Sequence, residues 1–382
     1  MTERQCLQTP RRIVVKIGSR VLVQRSGRPD TRRMRELVRE IATLKRRGIE
    51  VILVTSGAVG AGMQALGMAR RPTAVPDLQM AAAVGQSRLM ATYDELFAHE
   101  HITIGQILLT HDDLNHRTRH LNARNTMLNL LQHGILPIVN ENDVVAIDEI
   151  KFGDNDLLAS LVSIMMDADY LVLLTTVDGF RLPAGPGRTR RASVLRDVGR
   201  DTLAHAIGKG SDLSTGGMAS KLTSAGMAVS TGIPVVIANG RTNRILTRIA
   251  DGLDVGTLLL PPGLKPDEDI PHRKRWIAFF HRTRGSVTVD DGAVQALLVK
   301  GRSLLAAGIR TVDGSFEKGA VINIVDPERN VIARGLTAYS SRDIDLIKGH
   351  KSSDIATLLG TCDYPEVIHR DNMVLLRSAP KT

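Results

Sequence analysis

Short continuous apolar runs alternate with stretches in which apolar residues recur every three or four positions over the first two thirds of the chain. Ile13–Ile17, Val51–Val54, Thr103–Leu109, Ile135–Val139, Tyr170–Leu174, Pro234–Ala238 and Thr257–Leu260 read as buried strands. Between them, Thr31–Arg47 places Met34, Leu37, Val38, Ile41 and Leu44 at helical spacing and stops at Gly48. Further helices are expected at Ala81–His99, Leu121–Gln132, Leu157–Met166 and Leu222–Ser230. This alternation predicts an α/β domain, a mostly parallel sheet sandwiched between helices. Met1–Arg11 reads as a frayed tail, and Arg181–Arg191, rich in Gly, Pro and Arg, as an exposed loop.

The texture changes after Pro261–His272, a Pro-rich and charged stretch. Short alternating runs follow at Ser286–Val289, Ile309–Val312, Ala320–Val325 and Val331–Thr337, separated by turns such as Asp313-Gly314. They predict a small β-barrel-like domain. The expected division is residues 1–262, a linker at 263–275, and a second domain at 276–382.

Polar residues break the apolar pattern at particular places. Asn140-Glu141-Asn142-Asp143 follows a strand, at the carboxyl end where open α/β sheets form their ligand crevice. Gly153-Asp154-Asn155-Asp156 opens a helix, where Asp154 or Asp156 can serve as cap and the first-turn amides attract anions. Asx turns and caps account for each knot alone; two amide and carboxylate clusters facing one crevice can instead hold an ammonium group, a metal-phosphate and lysines together. Lys16 lies one residue before the turn at Gly18, aimed at the surface or at a phosphate. Thr55 to Gly62 is a glycine-rich turn entering a helix, and Ser214 to Lys221 has two hydroxyls, a glycine pair and a lysine in the same setting. Neither G-x-G-x-x-G nor G-x-x-x-x-G-K-[ST] occurs, which counts against a dinucleotide fold and a P-loop.

With 382 residues the chain exceeds one ordinary domain. Its 43% hydrophobic and 24% charged content fits a soluble globular protein, and 3% aromatics gives little material for stacking RNA bases. The formal charge of +10 is concentrated near the start, where Arg32, Arg33, Arg35, Arg39, Lys45, Arg46 and Arg47 are expected on a solvated helix face. Only Cys6 and Cys362 are present, so no disulfide framework is expected and a reducing cytoplasm fits. The first strand starts too early to leave room for a leader peptide, and no apolar run reaches the length of a membrane span. His111, His116 and His120 lack ligand spacing on a defined element and read as surface residues.

Seven motifs then carry a resemblance: VVKIGS at Val14–Ser19, VTSGAVGAG at Val54–Gly62, AAVGQSRLM at Ala82–Met90, LNARNT at Leu121–Thr126, NENDVVA at Asn140–Ala146, FGDNDLLA at Phe152–Ala159 and TGGMASK at Thr215–Lys221. In this order they resemble the amino acid kinase family, in its glutamate 5-kinase branch. The barrel beyond Arg273–Ile277 resembles the PUA domain that many of these kinases carry. The resemblance implies ATP-dependent phosphorylation of the side-chain carboxylate of L-glutamate to L-glutamyl 5-phosphate, the first step of proline synthesis, with Mg²⁺ on the ATP phosphates and proline as inhibitor. It also implies a homo-oligomer, a dimer or tetramer, and a glutamyl phosphate reductase as a partner downstream; RNA and membrane are not expected.

Carried onto this chain, the resemblance implies that Lys16 and Lys221 flank the migrating phosphoryl group, with Asp156 holding both and Asp154 nearby. Ser56, Gly57, Asp143 and Asn155 match glutamate-binding positions, Asp143 pairing with the substrate ammonium. Gly18 and Gly57 would offer main-chain donors to phosphate. Nucleotide contacts are implied for Lys16, Gly18, Thr175, Thr176, Thr215, Gly216, Gly217, Met218, Ala219, Ser220 and Lys221, and no metal is expected on protein ligands. Thr176 stands where the family usually has an acidic residue. Two rival readings are a different amino acid kinase, acting on N-acetylglutamate, aspartate, carbamate or UMP, and an RNA-binding PUA protein with a vestigial kinase half.

Overall fold

A computed structural model of the chain describes residues 3–24, 30–145, 155–185, 188–196, 217–261, 283–360 and 364–376. It contains two compact units, Met1–Glu268 and Asp269–Thr382. Asp154, Thr215, Gly216 and the expected linker lie outside the described residues.

The first unit is built on β1 (Arg12–Ile17), β2 (Glu50–Val54), β3 (Ile104–Leu109), β4 (Leu136–Glu141), β5 (Tyr170–Thr175), the short hairpin β6 (Arg181–Pro183) and β7 (Thr189–Arg191), β8 (Val194–Leu195), β9 (Val235–Asn239) and β10 (Thr257–Leu259). The main sheet has the order β3-β4-β2-β1-β5-β9-β10-β8. Every pair from β3 to β9 is parallel, and β10 runs antiparallel to β9. All six residues of β1 are buried, as a strand covered on both faces requires. The chain leaves β1 towards β2 and later returns on its other side as β5. The carboxyl ends of β1, β2, β4 and β5 therefore border the topological switch point, where a doubly covered sheet opens a crevice.

The helices are α1 (Ser19–Leu22), α2 (Thr31–Arg46), α3 (Ala58–Ala65), α4 (Val75–Ala98), α5 (His111–Asn115), α6 (Arg117–Gln132), α7 (Asn155–Met165), α8 (Met218–Ser230) and α9 (Ile245–Ala250). Met34, Leu37, Val38, Ile41 and Leu44 of α2 face the sheet in one core with Leu53, Val172 and Leu174. The helices α3 and α4 touch at glycines: a Cβ on Gly62 would overlap the Ala81 carbonyl, and one on Gly85 that of Ala58.

Four expectations need correction. Residues Glu3–Leu7 form a 3-10 helix rather than a frayed end, with Leu7 fully buried. Its Arg4 guanidinium donates to the carbonyls of Leu253 (3.2 Å), Val255 (2.9 Å), Ser193 (2.8 Å) and Gly256 (3.1 Å) and pairs with Asp254 at 3.1 Å. Arg33 is buried instead of solvated, because its guanidinium reaches the Gly240 and Thr242 carbonyls and the Glu40 carboxylate. His120 is buried as well. Arg181–Arg191 contains a paired hairpin where a loop was expected.

In the second unit, β11 (Ser286–Val289), β12 (Ile309–Asp313), β13 (Val321–Val325), β14 (Val331–Leu336) and β15 (Met373–Leu375) make a five-stranded mixed sheet in the order β12-β11-β13-β14-β15. Its core gathers Val287, Val289, Phe316, Ile322, Ile324 and Tyr339. Three helices among the described residues, α10 (Asp291–Leu298), α11 (Ser341–Ile347) and α12 (Ile355–Leu359), accompany the strands and were not expected from the sequence.

Candidate active site

Lys16 is the fifth residue of β1, paired in register with Val54 on one side and Leu173 on the other. An ammonium group on a central strand next to the crevice needs an anionic partner. That partner is Asp156, in the first turn of α7, whose Oδ1 lies 2.7 Å from Lys16 Nζ. Its Oδ2 accepts a hydrogen bond from Lys221 Nζ, in the first turn of α8, also at 2.7 Å. The three side chains are 7%, 3% and 9% exposed, so the cluster is nearly dry. Burial pushes the Asp156 carboxyl up, but the charges of Lys16 and Lys221 outweigh it and hold the group below the usual aspartate range. Asp156 is thus not the helix cap that sequence allowed: its carboxylate is turned to the lysines.

Gly18 begins the turn after β1. Its amide donates to the Leu174 carbonyl at 3.1 Å. The residue matters through its missing side chain: a Cβ would sit 3.2 Å from Leu174 O and 3.7 Å from Lys16 Nζ. Gly57 precedes α3 at φ +114°, a left-handed conformation that side chains resist.

On the other side of the crevice, Asn155 Nδ2 lies 2.8 Å from Ser56 Oγ, 2.9 Å from Thr55 O and 3.2 Å from Asn140 Oδ1. A carbonyl can only accept, so Thr55 O fixes which way the Asn155 amide faces. Asn140 must then present its oxygen to Asn155 and its Nδ2 to Gln86 Oε1, 2.7 Å away. This amide chain leaves Asn155 Oδ1 and Gln86 Nε2 as buried polar atoms without a hydrogen-bond partner at its two ends. Behind it, Thr55 Oγ1 shares a hydrogen bond of 2.9 Å with Tyr93, whose hydroxyl burial pushes up to about 12 against the pull of that bond. Asp143 stands half-buried in the turn beyond β4, three residues after Asn140.

The structure therefore brings Lys16, Asp156 and Lys221 into one cluster and Ser56 and Asn155 into another, joined because Asn155 and Asp156 are neighbours on α7. Thr175 ends β5 and Thr176 is exposed just beyond it. Gly217 caps α8, and Met218, Ala219 and Ser220 form its half-buried opening turn. Asn140 and Gln86 were missed as individual site residues, although the polar knot and the AAVGQSRLM motif contain them. Among the described residues no group of three or more His, Cys, Asp or Glu could hold a metal ion. No described helix is long and apolar enough to cross a membrane.

The profile of the amino acid kinase family matches residues 11–239, and that of the PUA domain residues 285–359. The chain is 46% identical over 376 residues to glutamate 5-kinase of Citrifermentans bemidjiense, covering 98% of this chain and 100% of that one. It is 44% identical to the glutamate 5-kinases of Moorella thermoacetica and Saccharophagus degradans, each over 98% of this chain and 100% of theirs.

Proposed function

The chain belongs to the amino acid kinase family and carries a PUA domain, and from that membership we infer a glutamate 5-kinase that phosphorylates the side-chain carboxylate of L-glutamate with ATP. The product is L-glutamyl 5-phosphate, for proline biosynthesis. The observation that carries the reading is the pair of buried lysines, each 2.7 Å from one oxygen of Asp156 at the mouth of the sheet.

The acceptor carboxylate is ionised at neutral pH and needs no general base. What the transfer requires is alignment of two anions and stabilisation of the charge spread over the phosphoryl oxygens. Lys16 and Lys221 supply that stabilisation in our reading, and Asp156 keeps their like charges in a fixed arrangement. Magnesium, as the partner of the ATP phosphates, supplies charge neutralisation there. Both Asp156 oxygens are engaged by ammonium groups, a donor set that fits a cation held chiefly by phosphate and water rather than by a protein cage. The opening turn of α8 from Gly217 to Lys221, with Thr175 and Thr176, serves the nucleotide.

Ser56, Asn155 and Asp143 hold glutamate. Asn155 Oδ1, buried and lacking a partner, is an acceptor available to the substrate ammonium, with Asp143 as its counter-charge. Proline acts as feedback inhibitor, the assembly is a homo-oligomer, and the PUA unit tunes assembly or regulation in a cytoplasmic protein. Its unstable acyl phosphate suits a reductase docked nearby.

Release of ADP tests the assignment. L-glutamate should support turnover, and aspartate, N-acetylglutamate, carbamate and UMP should not. Turnover on one of those four and not on glutamate would reject the reading.

A further inference from the structure

Asp156 and Lys221 sit on different helices, so their separation depends on how α7 and α8 are set along each other. A slip of one residue along a helix moves a side chain by about 1.5 Å, enough to break a 2.7 Å ion pair. Along α7 below Asp156 lie Ser160 and Ser163, and along α8 below Lys221 lie Ser224, Ala225 and Ala228; all are buried. These residues are small, and a directional polar bond between the helices adds to what packing fixes of their register.

Besides the Asp156–Lys221 pair, another polar bond crosses this interface. Ser160 Oγ donates to the Ser224 carbonyl at 2.8 Å and also lies 3.1 Å from the carbonyl of Asp156. A hydroxyl has one hydrogen, and the shorter contact, across the helices, takes the larger share. Ser160 is one turn below Asp156, and Ser224 one turn below Lys221. The hydroxyl therefore ties together the same two turns that carry the ion pair. Ser163, one further turn along and equally buried, donates only to its own helix, at Ser160 O (2.7 Å).

We propose that Ser160 is a positioning residue for phosphoryl transfer: its interhelical hydrogen bond fixes the register of α7 against α8 and so holds Lys221 on Asp156. Its side chain is fully buried one turn along α7 from Asp156. The inference deepens the kinase reading and rests on it for the rate effect, whereas the effect on the Asp156–Lys221 pair stands without it.

The test compares Ser160→Ala with Ser163→Ala, which removes an equally buried hydroxyl that makes no interhelical bond. Steady-state rates and the ¹³C titration of the Asp156 carboxyl are measured on the full chain, with Ser160→Cys as the nearest isostere should the alanine variant not fold. For Ser160→Ala the expected result is a kcat about tenfold lower at unchanged KM for glutamate, with Asp156 titrating at higher pH than in the unsubstituted protein. Ser163→Ala should match the unsubstituted protein in both, and Ser160→Cys should fall between. Equal behaviour of the Ser160 and Ser163 variants overturns the proposal, as does a lower kcat without any change in the Asp156 titration. If the unsubstituted protein does not turn over glutamate, the kinase reading fails, and the titration alone then decides the register claim.

Discussion

Lys221 Nζ lies 2.7 Å from Asp156 Oδ2, while the other oxygen of the same carboxylate is 2.7 Å from Lys16. One buried anion thus orders two cations drawn from β1 and α8. Removing it leaves like charges together in a site almost without water. Asp156→Asn should therefore destabilise the protein by about 3 to 5 kcal/mol and slow turnover as well. Urea unfolding monitored by circular dichroism measures the first effect. An unchanged unfolding midpoint would contradict the pairing.

The same carboxylate makes a pH prediction. Its folded-state value is depressed, so its contribution is fully present above the ordinary aspartate value of about 3.9 and is lost as pH falls through the lower folded value. Stability should fall more steeply below pH ~4 in the unsubstituted protein than in Asp156→Asn. Unfolding free energies measured from pH 5 downwards check this, and parallel curves would refute it.

Asp143→Ala should raise KM for glutamate at least about tenfold and leave kcat near its original value, because the contact proposed for it would bind the ammonium equally in ground and transition states. Initial-rate kinetics over a glutamate series separate the two parameters. A fall in kcat at constant KM would move Asp143 from substrate binding to the chemical step.

The sheet and its crevice were legible because β1, β2 and β5 are short, mostly apolar runs, and because polar residues follow them at once. Asn140 and Glu141 extend β4 into the polar knot, one place where composition misplaced the strand end. Arg4 was not legible: a guanidinium that collects the carbonyls of residues 193, 253, 255 and 256 leaves no periodic trace in a terminal segment. Arg33 was hidden by its basic neighbours, since only the fold shows that Glu40 and Gly240 face it. The helix Ser341–Ile347 had a readable signal in Ser340 and Asp343, whose side chains and amides form a capping box, but the surrounding strand pattern obscured it. The amide chain from Ser56 to Gln86 joins four separate elements, so spacing along the sequence carried no information about it.

Arg4→Ala should cost about 2 to 4 kcal/mol, since it empties a buried position and strips several carbonyls of their donor. Chemical denaturation should show the loss, with KM for both substrates unaltered at 25 °C. A variant as stable as the parent would mean that the terminal segment is not held as described.

The central claim is that Lys221 acts on the phosphoryl group in flight and not on bound glutamate. Steady-state ADP release by Lys221→Ala, over full glutamate and ATP series, tests it most directly. The account predicts kcat reduced about a hundredfold or more with KM for glutamate within about twofold of the parent value. A kcat that is retained while KM for glutamate rises would contradict it.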